Sequence, residues 1–172
     1  MRKIVNRLFR TTFFDRKALT EASFDDDAPA DAAIIVAGVG LLTYLLAAVI
    51  GPGGFDAASL IQLVLAGVMA WLVLALATWF VATRLFGARS SPQTIMGLQG
   101  LASLPLILGA FDNEAVQAVG LVWYLVLLVI ATREAGNLST RNAGVSVLIG
   151  FAVAALVRMI FGAPFLFLGQ IF

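Results

Sequence analysis

Arginine and lysine occur in only every second connector of this chain, and that pattern limits its folds more than any single motif does. Long apolar stretches alternate with short polar connectors from residue 32 onward. Arg84 and Arg89 flank the connector after the second stretch, and Arg133 and Arg141 lie in the one after the fourth. The connectors between them hold no cation at all, only Asp56, Asp112 and Glu114. Cations are retained on the cytoplasmic side of a membrane, so this sorting is expected of a chain that crosses the bilayer at every apolar stretch. Arg2, Lys3, Arg7, Arg10, Arg16 and Lys17 precede the first stretch, which puts the N-terminus inside. An odd number of crossings then leaves the C-terminus outside.

Composition agrees with that reading. Hydrophobic residues make up 61% and charged ones 12%, with a mean hydropathy of +1.00, against roughly 45–50% apolar and 25% charged in soluble domains. The expected fold class is all-α: a polytopic membrane protein of five transmembrane helices with an N-terminal amphipathic helix, N-in/C-out. Residues 1–31 form a cytosolic basic arm and acidic linker, and 32–172 the membrane domain. The spans are expected at about 32–50, 58–86, 94–111, 115–132 and 144–168. The first carries no charge and is about 28 Å long as a helix, close to the thickness of the hydrocarbon core. The second is longer than a perpendicular span needs, so it should tilt or extend past the bilayer near Arg84. A cleaved signal peptide is not expected, because the first apolar core starts only near Ala32 and runs too far.

In the arm, Ile4, Val5, Leu8, Phe9 and Phe13 fall on one half of a helical wheel and Lys3, Arg7 and Arg10 on the other. Such a helix lies in the headgroup boundary with its cations on anionic lipid. The alternative is an arm packed on its own bundle or on a neighbour.

The third stretch is the least comfortable in lipid. Gln99 and Ser103 are polar, Gly97 and Gly100 leave the backbone bare, and Pro105 offers no N–H to the carbonyl of Leu101. Two readings remain open for it. One is a broken helix whose loose carbonyls line a path for a substrate or ion; the other is a proline kink satisfied by neighbouring helices. Small residues recur elsewhere, at Gly38 and Gly40, at Ala66, Gly67 and Ala70, and at Gly150 and Ala154, where close helix approach is their ordinary use. Trp71, Tyr44 and Trp123 fall inside spans as packing residues, while Trp79 and Phe80 suit an interfacial belt.

Arg158 is the one ionisable residue deep within a span. Counted from Gly144 it sits about 21 Å along its helix, on the side of the acidic connectors. An ion pair with Asp112 or Glu114, with Asp56 as the third choice, is expected; snorkelling to the outer headgroups is the alternative. The chain has no cysteine and no histidine. Thiolate or imidazole metal sites, haem ligation by histidine and histidine-based acid–base chemistry are thereby excluded. No catalytic, metal or cofactor residue is expected, and no enzyme.

With the order of segments in hand, the chain resembles the Yip1-domain family of five-span membrane proteins, in particular its bacterial members. The resemblance rests on Arg7-Leu-Phe-Arg10 in the arm, Arg84-Leu-Phe-Gly87 closing the second span, and Ala102-Ser-Leu-Pro-Leu106 in the glycine-rich third. Trp123-Tyr124, followed by Arg133-Glu-Ala-Gly-Asn-Leu-Ser139, completes it. It implies five spans, a cytosolic N-terminus and self-association through helices. Eukaryotic relatives carry an Asp-Leu-x-Gly-Pro run in the arm and associate with Rab-type GTPases. No such run occurs here, so GTPase binding is not carried over. Bacterial members have no settled activity and some are described only as transport proteins.

The leading expectation is a non-enzymatic membrane-organising or scaffold protein in a bacterial inner membrane. Its partners are membrane lipids, anionic ones foremost, and a second copy or other membrane proteins, with no nucleic acid and no cofactor. Lys3, Arg7, Arg10, Arg84, Arg89, Arg133 and Arg141 form the lipid or partner face, read as a docking surface for a partner protein or a specific anionic lipid; holding topology and binding headgroups non-specifically is the alternative. The runner-up is a small transporter or channel centred on Gly97, Gln99, Gly100, Ser103 and Pro105.

Overall fold

The computed structural model describes the backbone of residues 28–50 and 55–168, with side chains given except at 158 and 161–168. The described residues are all-helical: α1 (Ala28–Ile50), α2 (Ala57–Phe86), α3 (Pro92–Leu101), a 3-10 segment (Leu104–Ala110), α4 (Glu114–Gly136) and α5 (Thr140–Leu168). Four of the helices are long and apolar enough to cross a membrane, and α3 with the 3-10 segment makes a fifth candidate bent by 44°.

Local chemistry sets the helix ends. Asp56 caps α2, accepting from the amides of Ala58 and Ser59, and Gly87 closes it at φ 67°, a left-handed position that glycine adopts most easily. Ser91 accepts from the Thr94 amide at 3.1 Å and Pro92 occupies the first turn of α3, where its missing N–H costs nothing. Asn113 caps α4 and Asn137 ends it at φ 50°. Side-chain caps such as Ser91 and Asn113 each contribute about 1 kcal/mol.

Several helices outrun the apolar windows expected of them. α1 begins at Ala28 rather than near 32, because Pro29 and Asp31 both suit a first turn. α4 continues through Arg133 and Glu134 to Gly136, and α5 begins at Thr140. Charged residues at helix ends extend the helix into the headgroup region without entering the hydrocarbon.

The third segment departs most from a single helix. Ser103 Oγ donates to the Gly100 carbonyl at 2.7 Å, the Ser103 amide reaches the same oxygen at 3.1 Å, and the Leu106 amide bonds Ser103 at 3.0 Å. These three-residue closures tighten the chain into a 3-10 winding, and Pro105 supplies no amide to restore the α ladder.

Even so, the bent segment traverses the bundle from end to end along α4. Ile95 shares a cluster with Ala135, and Gln99 bonds Thr132. Ala102 packs with Leu127 and Leu128, and Gln117 Nε2 donates to the Phe111 carbonyl at 2.8 Å. From Ala135 to Gln117 is about 27 Å of helix, against a hydrocarbon core of about 30 Å. A re-entrant loop would instead bring Phe111 back beside Ala135.

The packing is that of a membrane protein. Leu98, Leu101, Leu127, Leu128 and Val147 form the interior. Ile34, Val49, Ile61, Leu65 and Leu148 face outward, Val49 at 82% exposure. Large apolar side chains on the outer surface have lipid as their solvent.

Candidate functional site

Two places gather the residues singled out above: the bent third segment, and the end of the bundle that carries the arginines. Around the third segment, helices approach to backbone contact. A Cβ on Gly97 would lie 2.7 Å from the Ala28 Cβ, and one on Gly100 would lie 2.9 Å from the Ala32 Cα. One on Gly120 would lie 2.8 Å from the Pro105 carbonyl oxygen and 2.9 Å from the Leu108 Cβ. The start of α1 thus holds the first part of the segment and the first third of α4 holds the 3-10 part.

In the interior, uncharged polar side chains come from four helices. Thr78, Gln99, Thr132 and Ser146 are each 0% exposed. Thr78 lies between Leu74 and Ala82, and Gln99 between Ile95 and Ala102. Ala82 and Ile95 share one cluster and Leu74 and Ala102 another, so Thr78 and Gln99 stand at one level. Gln99 Nε2 donates to Thr132 Oγ1 at 3.2 Å, and Ser146 Oγ donates to the Asn142 carbonyl at 2.9 Å. Among the described residues, Gln99 Oε1 and Thr78 Oγ1 have no hydrogen-bond partner, and neither do the indole nitrogens of Trp71 and Trp123. Thr78 Oγ1 instead sits against the bare backbone of Gly150, beside the Leu74 carbonyl. Leaving such groups unpaired costs about 1–3 kcal/mol each.

At the other place, Arg133 Nη2 pairs with Glu134 Oε1 at 2.6 Å and its Nη1 donates to Thr140 at 3.4 Å. Arg84, Arg89 and Arg141 are exposed. Arg84 lies 5.9 Å above the Phe80 ring centroid, and the Trp79 indole donates to the Ser90 carbonyl at 3.0 Å, as an interfacial residue does. Lys3, Arg7 and Arg10 lie outside the described residues.

Asp56, Asp112 and Glu114 are exposed at the opposite end. Hydrogen bonds from the Ser59 hydroxyl and then from the Ser59 and Ala58 amides hold the Asp56 carboxyl below the usual carboxylate value. Tyr44, read as a packing residue, reaches this connector: its hydroxyl donates to the Asp56 carbonyl and accepts from the Asp56 amide, both at 2.7 Å. The expected pairing of Arg158 with Asp112 or Glu114 involves a side chain outside the described residues. Among the described residues no group of three or more metal-binding side chains comes together.

The sequence reading named Gly97, Gln99, Gly100, Ser103 and Pro105, and the structure brings all five into one clamp. It did not name Thr78, Thr132, Ser146 or Gly120. Polar residues inside otherwise apolar spans were the available signal for the first three, but threonine and serine bond their own helix so readily that the signal is faint.

A family model described as the Yip1 domain matches residues 14–162. No curated protein and no solved structure matches.

Proposed function

This chain belongs to the Yip1-domain family and is an integral membrane protein, and from that premise we propose that it is a non-enzymatic, membrane-organising scaffold. The observation that supports the reading is the close contact of the bent third segment with α1 at Gly97 and Gly100 and with α4 at Gly120, which leaves no room for a path along either of those two sides. A rigid bundle of this kind offers two surfaces: an apolar belt for lipid and neighbouring spans, and a basic face toward the cytoplasmic leaflet. The arginine sorting supports N-in/C-out insertion in a bacterial cytoplasmic membrane, with the arm lying on the inner surface. Anionic lipids and other membrane proteins, including a second copy, are its partners.

Reconstitution into sealed vesicles tests this. The full chain is expected to pass no more K⁺, Na⁺ or Cl⁻ than protein-free vesicles do. In native membranes, photo-crosslinkers placed on the lipid-facing positions Met69 and Leu148 are expected to capture lipid and other spans. A solute flux that disappears in Gln99→Leu would instead establish the polar layer as a pathway.

A further inference from the structure

The connectors that follow α2 and α4 meet at one end of the bundle. A Cβ on Gly136 would lie 3.0 Å from the Ala88 Cβ and 3.1 Å from the Leu138 Cγ, and Ala88, Ala135 and Leu138 pack on one cluster with Ala82 and Ile95. The arginines of both connectors therefore belong to one surface. They are not equivalent within it. Arg133 is partly buried and committed to Glu134 and Thr140. Arg84, Arg89 and Arg141 are exposed, and none of them pairs with a carboxylate among the described residues. Beside Arg84 the surface turns apolar at once: Phe80, under its guanidinium, is 55% exposed and Leu85 is 65% exposed. The Trp79–Ser90 hydrogen bond holds the first connector against the end of α2 and so fixes where Arg89 emerges.

Unpaired guanidiniums bordered by exposed aromatic and aliphatic side chains match an amphiphile. A phosphate meets the cations and an acyl chain covers Phe80 and Leu85, whereas a soluble acidic peptide would leave the apolar border bare. We propose that Arg84, Arg89 and Arg141 form a binding site for the phosphate headgroup of an anionic phospholipid, with Arg133 acting as an internal strut. The site deepens the lipid-binding part of the function proposed above and rests on it.

Native mass spectrometry of the full chain, released from micelles holding phosphatidylglycerol and phosphatidylcholine in equal amounts, reads which lipid is retained. Phosphatidylglycerol is expected to dominate. Each of Arg84→Gln, Arg89→Gln and Arg141→Gln is expected to lower its retention about fivefold, the effect of one cation at an anionic surface. Arg133→Gln is expected to change it by less than about twofold, as for a surface ion pair. Equal loss in all four variants would reduce the site to diffuse charge and overturn it, as would retention of both lipids alike. Displacement of the lipid by inorganic phosphate or by polyglutamate at matched concentration would assign the surface to a soluble anion and also overturn it.

Because losing arginines can disturb insertion, a variant combining Arg84→Lys, Arg89→Lys and Arg141→Lys keeps every charge that sets topology. It is expected to retain less phosphatidylglycerol than the parent through loss of two-pronged contacts; full retention there overturns the guanidinium site. Solute flux through vesicles, the outcome that would sink the scaffold reading, leaves this lipid measurement unaffected.

Discussion

Gly100 and Gly67 look alike in the sequence, each a glycine in an apolar stretch, yet they have opposite surroundings. Gly67 has nothing within 4 Å of a built Cβ, while Gly100 meets the Ala32 backbone. Gly100→Ala is therefore expected to destabilise by about 1–3 kcal/mol through overpacking. Gly67→Ala should be neutral or stabilising by up to about 1 kcal/mol, because alanine costs less backbone entropy in a helix. Unfolding of the purified variants in detergent measures both. A second comparison concerns Gln99. Thr132→Val removes the hydrogen-bond partner of a buried carboxamide and should cost about 1–3 kcal/mol, whereas adding Gln99→Leu to it should recover most of that loss. At the exposed end, the depressed Asp56 carboxyl contributes stability that is complete above its ordinary value of 3.8 and is lost as pH falls through its lower folded value. Asp56→Asn is expected to flatten that acid dependence of the melting temperature, and an unchanged slope would remove Asp56 from the account of α2's start. Small residues were legible in the sequence as a class. Which of them touch another helix was not, since spacing along one helix carries no information about its neighbour.

Among the elements, the third segment shows where sequence reasoning reached and where it stopped. Gly97, Gln99, Gly100, Ser103 and Pro105 announced a helix ill at ease in lipid, and a kink at the proline followed from its missing amide. The 3-10 winding did not follow, because it depends on the Ser103 hydroxyl capturing the Gly100 carbonyl and on Gly120 admitting the Pro105 carbonyl. Neither contact uses the proline ring. Pro105→Ala is accordingly expected to leave the 44° bend in place, read as an unchanged distance between spin labels at positions 93 and 111. A longer distance would mean that proline alone sets the bend. Elsewhere the apolar windows located each helix but trimmed its ends, at Ala28, Gly136 and Thr140, since a hydropathy reading stops at the first charge and a helix does not.

For the whole molecule, charge sorting and end-to-end packing point the same way by independent routes. The arginines gather where Ala88 touches Gly136, and Asp56, Asp112 and Glu114 lie away from that end. Both facts are what a complete crossing by the bent third segment predicts; were it re-entrant, Asp112 would share a side with Arg89 and the later arginines would lie opposite. The chain contains no cysteine, so single cysteines can be introduced without altering anything else. Placed at Ser90, Asp112 and Ser139 in sealed vesicles and probed with a membrane-impermeant maleimide, they decide the matter. Five crossings predict that Ser90→Cys and Ser139→Cys label from one side and Asp112→Cys from the other. Labelling of Ser90→Cys and Asp112→Cys from the same side would contradict that topology.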